Sequence, residues 1–145
     1  MKNGFVNLRS ARSKEYKDVL ETIAKTKKCP FCKKNFKYHQ RPILKKENGW
    51  FITESSWPYK NTKRHLLIIT EKHKESFADL KTSDFQTIAN LANWAIKKYK
   101  IKGGALILRF GKPAYTGATV NHLHFHIIVP EIGAKKAEVV HFPIG

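Results

Sequence analysis

The chain has 145 residues, enough for one domain that buries most of the surface its unfolded form exposes. Its 41% hydrophobic and 12% aromatic content excludes a disordered chain, and no apolar run approaches the ~20 residues of a membrane span. A formal net charge of +17, from 28 Lys and Arg against 11 acidic residues, fits either a solubilising surface or attraction of polyanions such as nucleotide polyphosphates or nucleic acid.

Residues 1–10 show no pattern and read as a loosely packed lead. The first five, Met1 to Phe5, lack the apolar core of a secretion signal, which places the protein in the cytoplasm. Residues 12–25 set Tyr16, Val19, Leu20 and Ile23 at helical spacing among charged residues, an amphipathic helix. A basic, aromatic knuckle follows over 25–39, around Cys29-Pro30-Phe31-Cys32. In a reducing compartment, this Cys-x-x-Cys spacing points to a metal site or a redox pair before a structural disulfide. The redox reading is disfavoured, because no βαβ context surrounds it.

Short strands are expected over 49–53 and 65–70, with Pro58, Asn61 and Thr62 marking the turn between them. Residues 83–99 carry the stripe Phe85, Ile88, Leu91, Ala92, Ala95 and Ile96 behind a Ser83/Gln86 capping box, and should form the main helix. Gly103-Gly104 ends that region. A strand over 105–110, a loop over 112–118 and a strand over 122–129 complete the chain. This order predicts an α+β fold: one antiparallel sheet backed by the long helix, with an additional N-terminal helix.

The last strand carries the chemistry. His122, His124 and His126 alternate with Leu123, Phe125 and Ile127. Residues two apart on a strand share a face, so the imidazoles line one side and the apolar residues bury on the other. Neutral imidazole is both a nucleophile and a metal ligand.

This His-Leu-His-Phe-His-Ile-Ile run resembles the motif of the histidine triad (HIT) superfamily. Gly117-Ala118-Thr119-Val120 stands where that family has a small-residue phosphate loop. Residues 58–69 resemble its Pro-x-x-x-Gly-His-strand segment, with His73 following and with Arg64 in place of the glycine. The Cys29–Cys32 knuckle resembles one found in many bacterial members. The resemblance spans 29–130 and implies an N-terminal extension over 1–28, a HIT domain over 29–145 and a homodimer whose sheet is continuous.

By the same resemblance, His124 is the nucleophile that takes up the nucleotidyl group, and His126 contacts the α-phosphate. Gly117 and Thr119 offer backbone N–H groups and a hydroxyl to phosphate oxygens. Ala118 replaces the Gln or Ser of many relatives, which bears on the preferred acceptor and leaving group. Arg109 and Lys112 are candidate cationic contacts, and Glu54 a candidate acceptor for ribose hydroxyls. Cys29, Cys32, His73 and His122 are the implied Zn²⁺ ligands, with His39 or His65 as substitutes; a tetrahedral N/S set is the usual structural zinc site.

The expected activity is nucleotide hydrolysis or nucleotidyl transfer on a dinucleoside polyphosphate, a nucleoside phosphoramidate or an adenylylated compound. Two alternatives remain: aprataxin-like processing of adenylylated nucleic-acid ends, and a non-catalytic, zinc-stabilised nucleotide-binding module.

Overall fold

The computed structural model describes residues 5–145; Met1 to Gly4, and the sequence reading made of them, lie outside it. Helix α1 (Lys14–Thr26) is followed by strands β1 (Ile43–Glu47), β2 (Trp50–Glu54) and β3 (Thr62–Thr70). Then come helix α2 (Thr82–Tyr99), strand β4 (Ala105–Leu108), the one-turn helix α3 (Pro113–Thr116) and strand β5 (His124–Pro130). The strands form one antiparallel sheet in the order β1-β2-β3-β5-β4. The expected α+β architecture is what the chain adopts. No helix among the described residues is long and apolar enough to cross a membrane.

Pairing register decides which face each residue takes. His126 pairs with Leu67, and His124 with Ile69; Thr53 pairs with Leu67 and Phe51 with Ile69. These side chains therefore share one face. The other face presents Trp50, Ile52, Leu66, Ile68, Phe125, Ile127 and Val129, which pack against Ile88, Leu91 and Ala95 of α2. Burying each such aliphatic or aromatic side chain contributes on the order of 1.5–3 kcal/mol. This α2 core anchors the histidine-bearing strands from behind.

Four local expectations are corrected. Strand β1 was not anticipated: its sequence Ile-Leu-Lys-Lys-Glu is a charged edge with weak alternation. Its signal was the turn Asn48-Gly49, whose φ values of 44° and 79° suit a two-residue hairpin. Helix α2 begins one residue earlier than predicted and is not capped by Ser83 and Gln86. The Asp84 carboxylate accepts from the Lys81 backbone N–H at 2.8 Å instead. The lead is not patternless beyond residue 4: Val6 bridges Val120, and the Asn7 N–H donates to the Thr119 carbonyl at 2.8 Å. The loop over 112–118 contains α3, started by Pro113 and stopped by Gly117 at φ 69°.

Candidate active site and metal centre

The backbone hydrogen bonds of the triad strand settle what each ring can do. His124 Nδ1 lies 2.6 Å from the His122 carbonyl, which only accepts, so Nδ1 carries the proton. His124 Nε2 is then a bare lone pair. His65 Nδ1 accepts from the Tyr59 N–H at 3.2 Å, which puts the His65 proton on Nε2. That Nε2 donates to His126 Nδ1 at 2.8 Å. His126 must therefore carry its proton on Nε2, and this atom is buried with no hydrogen-bond partner. A bare imidazole lone pair and an N–H donor thus stand side by side, their rings 4.9 Å apart. Burial holds His124 down to about 4 and His65 down to about 3. His126 lies well below its ordinary value, through burial first and the nearby His124, His65 and Arg109 second. All three rings are neutral, as a nucleophile or ligand must be.

Helix α1 and the turn before it lie beside the histidine face, and a half-open cavity of about 70 Å³ between them is lined by Arg12, Tyr16, Tyr59, Arg109, His124 and His126. Tyr16 Oη is 2.6 Å from Thr119 Oγ1, and Tyr16 stacks on Trp57. From the other end, Phe142 meets the His126 ring edge-on at 5.0 Å, and Arg109 Nε donates to the Pro143 carbonyl at 3.0 Å. Gly117 lies so close to Gly145 that a Cβ would sit 2.7 Å from its carbonyl oxygen.

His122 departs from the predicted row. Strand β5 starts at His124, so His122 sits on the bend before it and turns toward the cysteine knuckle. Its Nε2 donates to the Thr70 carbonyl at 2.7 Å, leaving Nδ1 as a lone pair 3.3 Å from Cys29 Sγ and 3.8 Å from Cys32 Sγ. His73 repeats the arrangement: Nε2 faces Glu75 Oε1 at 2.9 Å, and Nδ1 is 3.4 Å from Cys32 Sγ. The four ligand atoms lie within 4.8 Å of one another. Tetrahedral zinc bonds set ligand–ligand separations of roughly 3.3–3.8 Å. The sulfur–nitrogen distances fall in that range. Burial pushes the Cys29 thiol up to about 12, so a cation is what would make it a thiolate. The donor set therefore fits Zn²⁺, with Thr70 and Glu75 orienting the imidazoles.

His39 and His65, the substitute ligands, lie elsewhere. His39 Nε2 contacts Thr53 Oγ1 at 2.7 Å, and His65 serves His126. Thr119 and Arg109 line the cavity; Gly117, which ends α3 at φ 69°, is not among its lining residues. Lys112 precedes α3 and is exposed. Glu54 is corrected: it pairs with Leu66, on the α2 face, and its Oε1 accepts from Arg64 Nη1 at 2.6 Å. One residue of register separates that face from the histidines. Arg64, in the place of the family glycine, is thereby explained as Glu54's partner, lying over the Tyr99 ring.

Three contributors were missed. His65 shares the alternation of β3 with Leu67 and Ile69, but only the fold, which pairs it with Ile128, brings it diagonally onto His126. Arg12 and Tyr16 read as one end of an amphipathic helix, with no local signal that this helix lies on the triad.

A sheet-borne imidazole lone pair beside a neutral imidazole donor, with a third histidine turned to a cysteine pair, is the site of a histidine triad protein. A family model described as "Scavenger mRNA decapping enzyme C-term binding" matches residues 28–140, and the chain belongs to this HIT-like family. Helix α1 lies before the matched span. The fold is similar to that of a histidine triad nucleotide-binding protein from Candida albicans (TM-score 0.61, 20% identity, covering 81% of this chain and 85% of that one). It is also similar to a Zn-bound histidine triad family protein from Mycobacterium smegmatis (TM-score 0.55, 20% identity, 79% and 83% covered). A third similar structure is a HIT family hydrolase from Clostridium thermocellum (TM-score 0.54, 24% identity, 77% and 96% covered). A search of curated proteins finds no match.

Proposed function

We propose that the protein is a nucleotide hydrolase or nucleotidyl transferase that works through a covalent His124–nucleotidyl intermediate. The observation that carries this reading is the bare Nε2 of His124 beside the unpartnered Nε2–H of His126. His124 Nε2 attacks the α-phosphorus, a P–N bond forms, and the bond to the leaving group breaks with its electron pair leaving on that group. The His126 N–H hydrogen-bonds a phosphoryl oxygen as charge builds there. Water or another acceptor then attacks phosphorus and loses its proton to solvent. The P–N bond breaks, and His124 regains its lone pair. Gly117 and Thr119 would contact the phosphate.

The Cys29, Cys32, His73, His122 set would hold a structural Zn²⁺, clamping the segment after α1 to the bends that flank β3 and β5. It supplies no group to the reacting atoms. The names of the similar structures, a hydrolase and a nucleotide-binding protein among them, support this class of activity.

Strand β4 pairs on one side only; Leu106 on it is exposed, as is Ile132, which lines a groove with Ala105 and Ile107. This supports a homodimer formed there, which sedimentation would test. The cytoplasm, where thiols stay reduced, suits the cysteine pair. The net charge favours a second reading, action on adenylylated nucleic-acid ends. One substrate panel separates them: a dinucleoside polyphosphate, an adenosine phosphoramidate, a cap dinucleotide and an adenylylated DNA. Turnover of the nucleotides with none of the DNA supports the first reading. DNA-only turnover supports the second, and binding without turnover leaves a non-catalytic module.

A further inference from the structure

The cavity over His124 and His126 carries two guanidinium groups on neutral supports. Arg12 Nη2 donates to the Trp57 carbonyl at 3.3 Å, and its Cζ lies 4.0 Å from the centre of the Tyr59 ring. Arg109 lies on the other side, donating to Tyr59 Oη at 3.2 Å and to the Pro143 carbonyl. Neither takes part in any ion pair among the described residues, and no carboxylate lines the cavity. Each guanidinium has five N–H donors, so both keep donors beyond the contacts they make. Two uncompensated cations and one buried, unpartnered N–H converge on the space next to the nucleophile. The complement to such a set is a chain of phosphates, because each further phosphate adds oxygens for a guanidinium fork.

The protons available sharpen this. His126 is neutral, with its lone pair already filled by His65. An amine leaving group needs a proton from an acid, whereas a phosphate leaving group departs as an anion. That difference also favours a substrate whose leaving group is phosphate.

We infer that Arg12, brought by the N-terminal segment, and Arg109 together grip the phosphates beyond the α-phosphate, so that the substrate is a nucleotide joined through an oligophosphate chain rather than a phosphoramidate. This rests on nucleotidyl transfer at His124. The step forms the P–N bond at the α-phosphorus and breaks the P–O bond to the α,β-bridging oxygen, and the electron pair stays on that oxygen, which departs on the β-phosphate. Arg12 is the specificity residue, outside the span that the family model matches.

The test compares wild type with Arg12→Gln and Arg12→Lys. Turnover of diadenosine tetraphosphate and of adenosine phosphoramidate is measured, the second serving as the control for a folded site. The expected result is a drop of about tenfold or more in kcat/KM for the tetraphosphate in Arg12→Gln, partial recovery in Arg12→Lys, and little change for the phosphoramidate, as loss of a charge-assisted contact implies. An equal fall for both substrates, or no fall, overturns the inference. Calorimetric titration of tripolyphosphate and of AMP into His124→Asn, with and without Arg12→Gln, gives a readout independent of catalysis. Tighter tripolyphosphate binding that Arg12→Gln selectively weakens supports the anion grip even if turnover at His124 fails. Equal binding with and without the substitution refutes it.

Discussion

Replacing His65 tests the proton logic of the site. In His65→Leu the Nε2–H that donates to His126 Nδ1 at 2.8 Å is lost, and the Tyr59 N–H loses its acceptor. His126 is then free to put its proton on Nδ1, which removes the donor that faces the cavity. Loss of one such donor to developing charge costs about 2.7–4 kcal/mol, or roughly a hundred- to a thousandfold in kcat. Stability falls too, because His65 is buried and an unsatisfied buried partner costs roughly 1–3 kcal/mol. At about 2–4 °C per kcal/mol for a chain of this size, that is a Tm loss of roughly 2–12 °C. His65→Gln offers an amide oxygen to Tyr59 and an N–H to His126, and should restore most of kcat. The assay is steady-state turnover of the best nucleotide substrate beside thermal unfolding. A purely structural His65 would give Leu and Gln variants equal in kcat once folded. That equality, or a near-normal kcat in His65→Leu, would refute the reasoning.

Elemental analysis should find about one Zn²⁺ per chain, as expected of a single four-ligand site. Cys29→Ser should release it and lower Tm by roughly 6–12 °C, taking ~3 kcal/mol for the lost anchor; a metal-free wild type of full stability would exclude the site. Burial holds His39 down to about 4 and His65 down to about 3. The unfolded chain therefore takes up protons first as pH falls below the ordinary histidine value. Stability should be full above about pH 6.5 and decline between there and pH 4, so a urea midpoint at pH 5 equal to that at pH 7 would contradict it. If the net charge of +17 serves substrate capture, kcat/KM should fall steeply with salt while kcat holds; a flat kcat/KM would assign the charge elsewhere.

The sequence carried the parts of the site that are local. Alternation announced β5, and the apolar stripe announced α2. Cys-x-x-Cys marked half of the metal set, whereas only the family resemblance tied the distant His73 and His122 to it. What it hid was set by distance and register. Glu54 is one residue from Thr53, yet the pleat sends it to the opposite face from the triad. Strand β1 is an edge whose lysines mask its pairing, although Asn48-Gly49 marked the hairpin. Arg12, Tyr16 and Phe142 reach the site only through long-range packing of the chain's two flanks, which no periodicity encodes.

The covalent step at His124 is the centre of the proposed chemistry. Wild-type protein mixed with α-³²P-labelled diadenosine tetraphosphate and quenched in base should carry label on the peptide containing His124, as an acid-labile P–N adduct. His124→Asn should carry none and lose turnover by several orders of magnitude, as expected when a nucleophile is removed. Unlabelled protein during full turnover, or a His124→Asn variant that works at a near-normal rate, would contradict it.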